Sequence, residues 1–137
     1  MRIGEFSGQY RFLSNFWPCV VTFDGAVYSS VEHAYQAAKT SDVGQREGIR
    51  NAVKAGDAKR LGRRVNMRAD WDKVKQSVML DLVRQKFQEP ALRHQLKETG
   101  DAELVEGNWW GDTYWGVCRG KGENHLGKIL MQVRGEQ

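Results

Sequence analysis

At 137 residues the chain has the length of one domain, enough to bury a core without disulfide or metal staples. Apolar residues make up 40% and charged residues 28%, an ordinary globular balance that leaves no stretch of about 18 apolar residues to span a membrane. The net charge of +4 is mild, and it suits a solvated surface, an anionic ligand such as a phosphorylated metabolite or nucleotide, or weak nucleic-acid contact.

The opening stretch, MRIGEFSGQYRFLSNF, is broken by Glu5, Gln9 and Arg11. It lacks the apolar core of a signal peptide, so a cytoplasmic location is expected. Cys19 to Phe23 is β-branched and apolar, and Asp24-Gly25 separates it from Ala26-Val27-Tyr28. That dipeptide between two such runs predicts a hairpin. Ser29, with Glu32 three residues later, matches a capping box and predicts a helix through Lys39. Gly44–Val53 and Ala58–Arg63 read as two short helices separated by Gly56.

The clearest helix runs from near Asp70 to before Pro90, with Trp71, Val74, Val78 and Leu82 as its buried stripe. Pro90 ends or breaks it. Ala91–Glu98 is a further helix, stopped by Gly100. Leu104-Val105 and Tyr114–Val117 read as short strands. A last helix starts at Asn124 and buries Leu126, Ile129, Leu130 and Val133. The sum is α+β: a mostly helical single domain, residues 1–137, with a small antiparallel sheet.

Four constellations could carry chemistry. Glu32, Gln36 and Lys39 fall at i, i+4 and i+7, within about 60° of one another on one helix face. Such a set is either a solvated stripe or a site, and the small Ala34, Ala37 and Ala38 allow close packing around it. Gly120-Lys121-Gly122 precedes a helix with Asn124 as its natural N-cap. Free amides there would bind a phosphate; the alternative is a flexible turn with Lys121 solvated.

Three of the five tryptophans lie within seven residues, Trp109, Trp110 and Trp115. They serve a core or stack a flat base, and Asp112 among them is either a turn former or a carboxylate tuned by apolar neighbours. Ser14, Asn15 and Phe16 are a plain loop or a holder of sugar hydroxyls. Cys19 and Cys118 stand far apart and read as free thiols, and His33, His94 and His125 are scattered. No metal is expected, because no ligand spacing is present.

Six blocks together resemble the NADAR (YbiA-like) family. They are Ser14-Asn15-Phe16, Ser30 to Lys39 (SVEHAYQAAK), Ala58 to Arg63 (AKRLGR), Leu104-Val105-Glu106, Asp112 to Gly116 (DTYWG) and Gly120 to Gly127 (GKGENHLG). They occur in the family's order and cover nearly the whole chain. The Trp109-Trp110 pair and Ala34 depart from the family pattern and bear on substrate choice.

The resemblance implies an N-glycosidase without a cofactor. Two substrate groups go with it: phosphorylated intermediates of riboflavin biosynthesis, and ADP-ribose attached to guanine, including guanine within nucleic acid. It further implies that a lysine attacks the opened sugar as an imine, here Lys39. On that reading Glu32 is acid/base or electrostatic stabiliser and Asp112 orients sugar or water. Asn15, Phe16, Gln36 and Trp115 contact substrate, and Gly120, Lys121, Gly122 and Asn124 seat its phosphate. The alternative is a non-catalytic module that binds ADP-ribose or nucleotides. It would need the glycine loop and the aromatic block, but not Glu32 and Lys39 together.

Overall fold

The computed structural model describes residues 1–137 as two compact units, Asn15–Lys86 and a second built from Met1–Ser14 with Phe87–Gln137. The architecture is α+β.

The Asn15–Lys86 unit opens with the expected hairpin. β2 (Pro18–Phe23) pairs antiparallel with β3 (Ala26–Ser30), in the register Val21 to Tyr28 and Phe23 to Ala26. Asp24 at φ +47° and Gly25 at φ +81° make the left-handed turn that matches strand twist. Helix α1 (Val31–Ala38) follows without a break and is buried along its whole length.

Its cap differs from the sequence reading. The N-cap is Ser30, not Ser29, and its hydroxyl accepts the His33 amide at 3.0 Å. Ser29 stays in the strand, exposed, and Glu32 is not a capping residue. His33 Nε2 donates to the Ala52 carbonyl at 2.9 Å, since a carbonyl can only accept. Its bare Nδ1 then accepts from the Ser30 hydroxyl at 2.6 Å. The histidine thus ties the helix start to a loop, and Glu32 is released for other work.

α2 (Val43–Arg50) is capped by Asp42, whose carboxylate accepts the Gln45 amide at 2.9 Å. α3 (Ala55–Gly62) contains Gly56 in its first turn, so Gly56 does not separate the two helices. The loop between Arg50 and Ala55, which supplies Ala52 to His33, does. α4 (Trp71–Lys86) buries Trp71, Met79, Leu82, Val83 and Lys86, while Val74 and Val78 are only half-buried. A search for apolar periodicity passes over lysine, and the buried stripe ends on Lys86.

In the other unit β1 (Arg2–Ile3) pairs with β4 (Glu103–Leu104), and β5 (Gly107–Asn108) with β6 (Val117–Cys118). Both pairs are parallel, so only the β2–β3 hairpin is antiparallel. Strands of two residues, β1 joined to β4 across about a hundred positions, leave no alternation for sequence to show. A 3₁₀ helix (Gly8–Leu13), α5 (Pro90–Glu98) and α6 (His125–Gly135) complete the unit. Pro90 begins α5 rather than ending α4, with Glu89 as cap to the Leu92 amide. α6 buries Leu126, Ile129, Leu130 and Val133 as expected. No helix is long and apolar enough to cross a membrane.

Two stability predictions follow from the Asn15–Lys86 unit. Ser30→Ala costs about 1–2 kcal/mol in chemical denaturation, whereas Ser29→Ala stays within about 0.5 kcal/mol. Equal losses would remove the assigned cap. Lys86 is 2% exposed, and burial pushes its ammonium pKa down to about 7 from the usual 10.5, against the smaller opposing pull of Cys19. Between those two values the unfolded chain binds a proton that the folded chain refuses, so stability rises with pH across that window and is lowest below about 7. Lys86→Met removes this slope and raises the melting temperature at pH 7, an outcome read directly from thermal melts at pH 7 and pH 10.

Candidate active site

Three polar side chains of α1 define the candidate site. Glu32 is 8% exposed and Gln36 4%, which is deep for a carboxylate and an amide. The Gln36 Nε2 donates to Glu32 Oε2 at 2.5 Å, one turn away along the face read from the sequence. The solvated-stripe reading fails on this burial.

Gln36 Oε1 is buried and has no hydrogen-bond partner. It lies against Gly62 at the end of α3, where any Cβ would overlap the amide. Glycine at 62 therefore lets α3 close onto α1 and locks the Gln36 rotamer that holds Glu32.

Lys39 follows the helix as its C-cap and is half-buried. Its amine lies 5.7 Å from the Tyr35 ring centroid, and Tyr35 in turn tilts against Trp71 at 5.2 Å. Burial lowers its pKa from the usual 10.5; the Glu32 carboxylate pulls it back up, and Arg63, Lys59 and Lys75 push it down again. A larger neutral fraction near pH 8 follows, which nucleophilic attack requires.

Asn15 and Phe16 sit beside these groups. The Asn15 carbonyl accepts the Glu32 amide at 3.0 Å and its Nδ2 approaches Met79 Sδ at 3.5 Å. Phe16 is 36% exposed, and the Lys59 amine lies 5.9 Å from its ring. The structure thus joins Glu32 to Gln36 and to the Asn15 backbone, with Lys39 within electrostatic reach of Glu32, while Phe16 stands against Lys59.

The other sequence-nominated residues belong to the Met1–Ser14 with Phe87–Gln137 unit, and most hold its loops. Asp112 Oδ1 accepts the amides of Tyr114 at 3.1 Å and Trp115 at 2.9 Å, the geometry of a turn-forming aspartate. Asn108 braces the same loop through the Asp112 backbone, on both its N–H and its carbonyl.

The amides of Glu123, Asn124, His125 and Leu126 donate to the carbonyls of Thr113, Gly116, Tyr114 and Trp115. The helix start expected to be open to phosphate is therefore closed by the chain itself. Asn124 occupies the N-cap position, at φ +55°, but its side chain does not cap. It accepts from the Glu106 amide at 3.0 Å and donates to the Leu104 carbonyl at 3.0 Å. Gly120, Lys121 and Gly122 are exposed in the turn before it, and Trp115 is half-buried against Tyr114, 4.9 Å away, and His125.

Sequence reasoning quoted Gly62 and Arg63 only as part of the Ala58–Arg63 block, named Lys59 there with no part in the candidate site, and did not single out Lys75. Lys59 and Arg63 sit one turn apart, a spacing that could have marked them. No group of three or more His, Cys, Asp or Glu side chains is assembled for a metal.

The model of the NADAR domain matches residues 4–136. The chain belongs to the NADAR family. Among NADAR relatives, the N-glycosidase YbiA of Escherichia coli (strain K12) is 41% identical over 134 residues, covering 93% of this chain and 82% of that one. The NMR structure of E. coli YbiA superimposes with a TM-score of 0.85 at 37% identity, over 99% of this chain and 83% of that one. The riboflavin biosynthesis protein VVA0006 of Vibrio vulnificus (strain YJ016) is 45% identical over 132 residues, 93% of this chain, but the chain spans only 36% of that protein.

The Lys39 environment is open to a direct check. Amine-reactive labelling followed across pH by mass spectrometry gives Lys39 a midpoint below the ordinary 10.5. Glu32→Gln removes the carboxylate that raises it and moves the midpoint lower still. A midpoint that rises in that variant contradicts the assigned contact.

Proposed function

We propose that this chain cleaves the N-glycosidic bond of a phosphorylated ribosyl compound at the Glu32–Lys39 face of α1. It is an enzyme, a hydrolase acting on N-glycosyl bonds. The observation that supports the finer reading is a buried carboxylate, held by Gln36, on the same helix face as a half-buried amine whose pKa burial lowers.

Ring opening of a ribosylamine turns the anomeric carbon into an imine of the leaving nitrogen. The neutral Lys39 amine adds to that carbon, forming a C–N bond. The old C–N bond then breaks as the departing nitrogen gains a proton. Glu32 accepts the proton that the attacking amine sheds and returns it to the leaving group, a transfer worth about 10²-fold or more. Water then adds to the Lys39 imine, releasing the sugar aldehyde and the free amine, so the net change is hydrolysis. While it is ionised, before it takes that proton and after it returns it, the Glu32 carboxylate stabilises positive charge on the reacting carbon.

Asn15, Phe16 and Gln36 are proposed to border the sugar. Within the other unit, Asp112 and Asn124 hold the loops that carry Trp115 and the Gly120–Gly122 turn. Two substrate groups fit: ribosylaminopyrimidine phosphates, in keeping with the riboflavin names of relatives, and ADP-ribosylated guanine. A non-catalytic nucleotide binder would have no use for a buried carboxylate beside a depressed amine. Two free thiols, Cys19 and Cys118, suit a reducing cytosol.

Incubation with both substrate groups, followed by mass spectrometry of released base and sugar, decides between them. Borohydride added during turnover is expected to fix the sugar on Lys39, and Glu32→Gln to lose at least about 99% of the rate with an unchanged fold. No adduct together with an active Lys39→Arg enzyme would exclude the imine, since arginine cannot form it.

A further inference from the structure

We propose that Arg63, with Lys59 one turn before it on α3, forms the seat for the phosphoryl group of the substrate. This rests on the ribosyl-phosphate reading above.

The chain's positive charge is not spread evenly. Residues 15–86 carry thirteen Lys and Arg against eight Asp and Glu, while the remaining residues carry eight against nine. Four of those arginines are already paired on the surface. Arg46, Arg50, Arg60 and Arg68 pair with Asp24, Glu47, Asp57 and Asp70. The Arg63 guanidinium is exposed and has no such carboxylate.

Its backbone, however, is fixed. Arg63 caps α3 directly after Gly62, the residue pressed onto the Gln36 amide, and its N–H donates to the Arg60 carbonyl at 3.3 Å. The side chain therefore starts one residue from the catalytic face. Lys59 reaches the same region from the preceding turn, where its amine stands 5.9 Å from the Phe16 ring. The charges of Arg63, Lys59 and Lys75 are all felt at Lys39, as is that of the buried Glu32 carboxylate, so all four groups act on one amine.

Lys75 is balanced by Asp72 at 3.2 Å. Arg63 and Lys59 both act against protonation of Lys39, and an anion bound at the exposed Arg63 guanidinium eases that repulsion. A phosphoryl group answers that need, with a guanidinium able to grip two of its oxygens. The alternative seat, the α6 start, has already given its amides to residues 113–116.

Steady-state kinetics with a ribosylaminopyrimidine phosphate and its dephosphorylated form tests this. Arg63→Gln is expected to raise KM for the phosphorylated compound about ten- to hundredfold, with a much smaller fall in kcat. The preference for the phosphorylated form then narrows, and Arg63→Lys recovers part of it. An Arg63→Gln enzyme with unchanged KM, or one that loses equally on both compounds, overturns the proposal. So does a KM effect found only in Lys121→Gln.

If the wild-type chain cleaves neither compound, the glycosidase reading fails, and the anion seat is tested by itself with inorganic pyrophosphate. Pyrophosphate is then expected to change the labelling rate of Lys39 in wild type and not in Arg63→Gln. The same response in both proteins, or in neither, overturns the seat.

Discussion

The hydrogen bond from the Gln36 amide to the Glu32 carboxylate is the constraint on which the Asn15–Lys86 unit turns. A carboxylate at 8% exposure is costly unless it is hydrogen-bonded. The bond survives because Gln36 has nowhere else to go, with Gly62 closing over its far side. The cap at Ser30 and the tether from His33 to Ala52 fix the start of the same helix, so the face is held at both ends of its two turns. One orphaned acceptor, Gln36 Oε1, is the cost of that arrangement.

How legible this was in the sequence depends on the kind of signal. The hairpin and α6 were plain, because Asp24-Gly25 and the Leu126–Ile129–Leu130–Val133 stripe are local patterns. The Glu32–Gln36–Lys39 face was plain as a spacing, but its burial was not, since period alone does not say which side faces inward. The cap was misread by one residue because only Ser29 has a glutamate three residues on, whereas the true cap, Ser30, has His33 there. The parallel pairs β1–β4 and β5–β6 were invisible, since strands of two residues have no period. Asp112 was legible as a carboxylate among aromatics and Asn124 as a helix N-cap. Only their partners, the nearby Tyr114 and Trp115 amides for Asp112 and the distant Glu106 and Leu104 backbone for Asn124, showed that they hold loops.

Charge separation along the chain gives a second organising fact. The net charge of +4 looks mild, yet it is the difference between a basic segment and one that is close to neutral. An average over the sequence hides this. The helices that carry Lys59, Arg63 and Lys75 are also those that crowd α1, so the basic surplus stands where the buried carboxylate stands. Attraction of an anion to that surface and its placement against Lys39 thus have one source.

Two lysines of the same unit show why a lowered pKa does not by itself mark a site. Lys86 is shifted further than Lys39, to about 7, and desolvation is the leading cause in both. Lys86 is 2% exposed and terminates the inner stripe of α4, so a sugar has no route to its amine. Lys39 is half-buried, with an aromatic ring on one side and a carboxylate and cations within electrostatic reach. The first shift is a penalty on stability; the second coexists with access and with a proton acceptor. Chemistry at an amine needs all three conditions together, and in this unit Lys39 meets them.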